Sequence, residues 1–147
     1  MHFFNYSAIL LFMTPTGHTA IMVLISAVCQ WLLGALWFGL IFRKHWLKLA
    51  GFTEGSKPKN VAFGMVVSFI ACLLLSYVIA HIEVWAGTKT FSGGFGLGVV
   101  LWTGFIAPPL LTQHIYENRR VNLFAINAAY WLLAMGLGGS LLAVFHG

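Results

Sequence analysis

The chain has 147 residues, 60% of them hydrophobic and only 7% charged, against about 25% charged in an ordinary soluble domain. So little charge cannot clothe a soluble monomer, and the apolar excess must face lipid. The net charge of +5 lies in clusters that flank apolar runs. That distribution excludes nucleic acid as a partner and points to membrane lipid phosphates.

Residues 1–18 read as an N-terminal extension, interfacial or flexible, set off by Pro15 and Gly17. Its first thirteen residues carry no Lys or Arg, so the positive n-region of a secretory signal is missing. The remainder, 19–147, reads as one transmembrane domain. A helix crossing the hydrocarbon core needs about 20 apolar residues, and four runs supply them, at about 19–42, 61–82, 94–116 and 122–145. None holds Asp, Glu, Lys or Arg within those bounds. Each can satisfy its own amides as a helix, and continuous rather than alternating apolarity argues against a β-barrel. The predicted fold is all-α, a polytopic integral membrane protein built as a four-transmembrane-helix bundle.

The first helix carries Ser26, Gln30 and Gly34 at four-residue spacing, with Trp37 a turn beyond. The loop after it holds Arg43, Lys44, Lys48, Lys57 and Lys59. Its start, with Trp46, Leu47 and Leu49 among the basic residues, reads as an interfacial helix turning at Gly51 and Gly55. Along the second helix Gly64, Ser68, Cys72, Ser76 and Ala80 form a small-residue row suited to close helix packing. His81 and Glu83 close that helix at its far end. Thr88, Ser92, Gly93 and Gly94 read as an outer turn. The third helix contains Pro108 and Pro109, which predict a bend where the carbonyls near Gly104 and Phe105 lose their donors. A short third loop holds Arg119 and Arg120, with Asn118 or Asn122 as a cap for the fourth helix.

The first and third loops share a side and carry seven of the eight Lys and Arg; the second carries only Lys89. The positive-inside rule puts the first and third loops in the cytoplasm and both termini outside.

Polar side chains inside a span are costly and turn toward the bundle interior. Gln30, Trp37, Trp102, Gln113, His114, Asn127 and Tyr130 are therefore the expected lining of a ligand pocket open toward the cytoplasm. Arg119 and Arg120 are the expected contacts for an anionic headgroup or carboxylate. No catalytic set is recognisable. Cys29 and Cys72 have no zinc or thioredoxin spacing, and the histidines show no ligand spacing, so neither metal nor cofactor is expected.

Four pieces of the chain then carry a resemblance. They are Gly34-Ala35-Leu36-Trp37-Phe38 with Ile41-Phe42, Lys44 and Trp46; Tyr77-Val78-Ile79-Ala80-His81; Trp102-Thr103-Gly104-Phe105; and Tyr116-Glu117-Asn118-Arg119 with Leu123-Phe124-Ala125-Ile126-Asn127 and Tyr130. In order and spacing they resemble the bacterial membrane family catalogued as "domain of unknown function 1761", from about Thr19 to the C-terminus. The resemblance implies a small four-helix protein of the bacterial inner membrane and brings no reaction or site residues with it.

The leading functional expectation is a non-enzymatic protein that binds or conducts a small hydrophobic or amphipathic molecule. Four helices enclose little volume, so assembly as a homo-oligomer goes with it. One alternative is an assembly or regulatory subunit with a membrane-protein partner. Another is a membrane enzyme acting on lipid or a glutathione conjugate. Arg119, Asn122 and Tyr130 loosely fit the latter, but the fourth helix lacks the acidic partner.

Overall fold

Apolar chain surrounded by lipid has no water to satisfy its amides and must coil on itself. The computed structural model describes residues 17–52 and 60–146. Among them are six α-helices: α1 (Gly17–Leu36), α2 (Arg43–Leu49), α3 (Val61–Ala86), α4 (Phe91–Leu101), α5 (Ala107–Tyr116) and α6 (Val121–His146). Single π-helical turns at Trp37–Ile41 and Trp102–Ile106 extend α1 and join α4 to α5. Four continuous spans result, Ala20–Ile41, Val61–Ala86, Phe91–Tyr116 and Val121–Phe145, each long and apolar enough to cross a membrane. The described residues contain no strand. Positions 1–16 of the extension, and Gly55, Lys57 and Lys59 of the first loop, lie outside the described residues.

Local chemistry moves several boundaries from their predicted places. The α3 helix runs on to Ala86, and Gly87, at φ +65°, closes it in the left-handed conformation. The next helix begins at Phe91 because Thr90 caps it, its Oγ1 accepting from the Gly93 N–H at 3.1 Å. Ser92, Gly93 and Gly94 are therefore helical rather than part of a turn. At the basic end Gly51 (φ +84°) ends α2, and Phe52 folds back to stack on Trp46. Asn118, at φ +51°, terminates α5: the Arg119 N–H donates to the His114 carbonyl at 2.9 Å.

The fourth span is the centre of the bundle: 56% of its apolar stretch is buried, against 22% or less in the others. It meets α4 backbone to backbone. A Cβ on Gly98 would run into the Met135 carbonyl and lie 2.8 Å from the Gly136 Cα, and one on Gly94 would lie 2.8 Å from the Ala143 Cβ. Ser140 Oγ donates across this crossing to the Phe91 carbonyl at 3.0 Å. Lipid gives helices no hydrophobic reason to associate, so such close backbone contact supplies the attraction.

The predicted bend of the third span is the π turn at Trp102–Ile106. An α-helix entering Pro108 and Pro109 would drive their rings into the carbonyls of Gly104 and Phe105. The chain instead widens by one residue, with the Ala107 N–H reaching the Trp102 carbonyl. The helix restarts with both prolines in its first turn, where an amide hydrogen is not needed.

Candidate functional site

Half-way along the first two spans, α1 and α3 are tied by a buried polar cluster. The Gln30 amide nitrogen donates to Ser76 Oγ at 2.8 Å and to Ser26 Oγ at 3.1 Å. Ser76 Oγ donates to Ser26 Oγ at 3.1 Å, and Ser26 Oγ donates to the Gly138 carbonyl of α6 at 3.3 Å. The cluster needs Gly138, since a Cβ there would occupy the space of the Gln30 amide.

Toward the basic end the two spans part. The small-residue row of α3 divides at this point: Cys72, Ser76 and Ala80 are buried, while Gly64 and Ser68 are exposed, and a Cβ on Gly64 would meet nothing within 4 Å. The gap is a groove of about 720 Å³, open along its side. Gly34 and Phe38 form one wall, Gly64 and Ser68 the other, and Cys72, Tyr130 and Trp131 the floor. Arg43 and Trp46 stand at the mouth. The π turn at Trp37–Ile41 carries Phe38 and Gly39 of the lining, in keeping with the frequency of π turns at functional sites.

A ladder of aromatic rings runs from mouth to floor. Trp46 meets Phe38 edge-on at 5.7 Å between centroids, Phe38 meets Tyr130 at 5.0 Å, and Tyr130 meets Trp131 at 4.9 Å. Three polar side chains of the groove, Trp31, Ser68 and Tyr130, are committed to the protein. Trp31 Nε1 donates to the Met65 carbonyl at 3.0 Å, and Ser68 Oγ donates to the same carbonyl at 2.9 Å. Tyr130 Oη donates to the Gln30 carbonyl at 3.3 Å. What remains is apolar surface, with the Arg43 guanidinium at the entrance paired to no carboxylate among the described residues.

Of the seven side chains expected to share a pocket, Tyr130 lines this groove. Gln30 lies behind the floor in the polar cluster, 1% exposed. Trp37 and Trp102 brace the central helix from two sides, their indole N–H groups donating to the Ile126 carbonyl at 3.1 Å and the Ala128 carbonyl at 3.0 Å. Gln113 is exposed and donates to Glu117 Oε1 at 2.9 Å. His114 is buried edge-on to Phe124 with Nδ1 2.9 Å from the Leu110 carbonyl, and its Nε2 has no partner. Asn127 is half-buried on α6. Arg119 forms an ion pair with Glu117, and both it and Arg120 are exposed. The Gln113 amide and the Arg119 guanidinium hold the Glu117 carboxyl below the ordinary carboxylate range.

The small-residue spacing marked Gly64 and Ser68 for helix packing, and the structure makes them a wall of the groove instead. Glu83, read from the sequence as closing the second helix at its far end, is buried to 1% exposure. Its carboxyl lies by the glycine crossing of α4 and α6, 3.2 Å from where a Cβ on Gly139 would sit, and neither oxygen has a hydrogen-bond partner. Glycine at 139 leaves the space that the carboxyl fills. Among the described residues no three His, Cys, Asp or Glu side chains converge as a metal site.

No curated protein and no solved structure matches the chain. The family described as "Protein of unknown function (DUF1761)" has a model that matches residues 21–143, a stretch that takes in most of all four spans and the whole groove, and the chain belongs to that family.

Proposed function

We propose that this protein binds one hydrocarbon chain of a membrane amphiphile in the lateral groove and performs no chemistry on it. The observation that carries this reading is the match between the groove and a single bilayer leaflet. From Val61 at the mouth to Cys72 at the floor is eleven residues of α3, about 16 Å at the helical rise. That is about half of the 30 Å hydrocarbon core. The groove opens sideways toward lipid, and its walls are aromatic and small rather than polar. The Ser26–Gln30–Ser76–Gly138 cluster lies beyond the floor and blocks the way to the other side, which favours binding over conduction.

Seven of the eight Lys and Arg belong to the loops at the groove's end, so the positive-inside rule places that end, and the leaflet it samples, in the cytoplasm. The phenol on the floor is engaged with the Gln30 carbonyl, an arrangement that suits a wall more than a nucleophile.

A phospholipid with a diazirine in one acyl chain tests the reading. Irradiation is expected to label the peptides holding Phe38, Tyr130 and Trp131 in preference to lipid-facing positions such as Val100 and Phe105. Gly64→Trp introduces an indole at the groove wall, where nothing lies within 4 Å of a Cβ, and is expected to abolish that labelling. Labelling spread evenly over the lipid-facing surface would sink the proposal.

A further inference from the structure

We infer that the amphiphile is an anionic phospholipid, with its phosphate on Arg43 and one acyl chain in the groove; this rests on the binding reading above. Two observations point to it. The first is the accounting of polar groups. Trp31, Ser68 and Tyr130 each spend their donors inside the protein. A ligand atom lying against Trp31, Ser68 or Tyr130 meets no unpaired donor, and burying a hydroxyl or amide there would cost it its own hydrogen bonds. The groove therefore selects a plain hydrocarbon tail.

The second observation is where the uncommitted charge stands. Arg43 lines the mouth, at the start of the short helix α2, and no carboxylate pairs with it among the described residues. Besides Arg43 that helix carries Lys44, His45 and Lys48 and no acidic residue. A tail that reaches the floor at Cys72 leaves its head at the level of this cationic helix, because the groove is one leaflet deep. The planar guanidinium matches two oxygens of a phosphate and remains charged at every physiological pH. A second acyl chain stays in the bilayer, since the α3 wall at Val61, Gly64, Met65 and Ser68 is exposed along the open side.

The test uses the full chain in nanodiscs of equal phosphatidylglycerol and phosphatidylcholine with identical acyl chains, released and weighed by native mass spectrometry. The wild-type protein is expected to retain one lipid per chain, with phosphatidylglycerol favoured about fivefold, the effect of one cation near a phosphate surface. Arg43→Gln is expected to retain a lipid with the preference gone, while Arg120→Gln keeps the preference. If Arg43→Gln keeps the preference, or Arg120→Gln loses it, the headgroup assignment is overturned and the groove reading stands. Gly64→Trp is expected to lose both lipids. If it, and Ser68→Leu as a second filling variant, retain lipid as the parent does, the groove is not the site and both readings fall.

Discussion

The Tyr130 hydroxyl stands where a side chain on residue 34 would have to go: a Cβ built on Gly34 would lie 2.9 Å from it and 3.2 Å from the ring. Glycine at this position lets the ring of α6 lie against the backbone of α1, deliver its hydroxyl to the Gln30 carbonyl, and still form the floor of the groove. One contact thus joins the central polar cluster to the lipid-facing cavity.

Gly34→Ala is expected to push that ring aside and lower stability by about 1 kcal/mol, the lower end of overpacking costs. Tyr130→Phe removes only the hydroxyl and should cost about 0.6 kcal/mol, a typical interhelical hydrogen bond in a membrane. Denaturant titrations in mixed micelles compare them. Equal stability of Gly34→Ala and the parent would show that the ring has room to move.

Gln30→Leu separates the polar cluster from the groove. Its amide holds Ser26 and Ser76 but does not line the cavity. Stability should fall by about 1 kcal/mol, with diazirine labelling of Phe38 and Trp131 unchanged. Loss of labelling in a folded variant would bring Gln30 back into the ligand site.

Close packing of the last two spans depends on Gly98. Gly98→Val must push the Met135–Gly136 backbone away and is expected to cost about 2 kcal/mol or more, seen as a lower melting midpoint and a broadened gel-filtration peak. Two residues earlier, Gly96 has nothing within 4 Å of a Cβ position, so Gly96→Val serves as the neutral comparison. Matching behaviour of the two variants would disprove the crossing.

Glu83 is buried with both carboxyl oxygens unpartnered. Glu83→Gln keeps its shape and removes any buried charge, so the melting midpoint should stay level or rise. A clear fall would mean that the fold leans on the carboxyl itself.

At the basic surface, the Gln113 amide and Arg119 lower the Glu117 pKa. A carboxyl whose folded value lies below its unfolded one stabilises the fold above the unfolded value, about 4.3 for glutamate. That contribution is lost as pH falls through the folded value. Carbon-13 titration of the Glu117 carboxyl should give a midpoint below that of an unfolded glutamate in the parent and a higher one in Gln113→Leu. Coincident midpoints would dismiss the contact.

Much of this architecture was legible in the residues. Long apolar runs, broken by Arg43 and Lys44 on one side and by Arg119 and Arg120 on the same side, specify four spans and a basic end, because insertion into lipid depends on local hydropathy and flanking charge. Ser26 and Gln30 were also readable as interior, since lipid punishes unpaired polar atoms. Pro108 and Pro109 announced the break that became a π turn.

The groove was not legible, and the reason is rotational. Hydropathy says that a helix crosses the membrane but not which face it turns to its neighbours, because in lipid an apolar side chain is equally at home on either. Trp37 and Trp102 were expected beside a ligand; packing turned their indoles onto carbonyls of the central helix instead. Gly64 and Ser68 share a spacing with Ser76 and Ala80, and only the divergence of α1 from α3 makes the first pair a cavity wall and the second a helix contact. The sequence by itself determined the spans, their number and the cationic side. Tertiary packing alone decided where the void would lie, that Tyr130 would floor it, and that Glu83 would be sealed against the glycine crossing of α4 and α6, since each of these depends on which faces of separate helices meet.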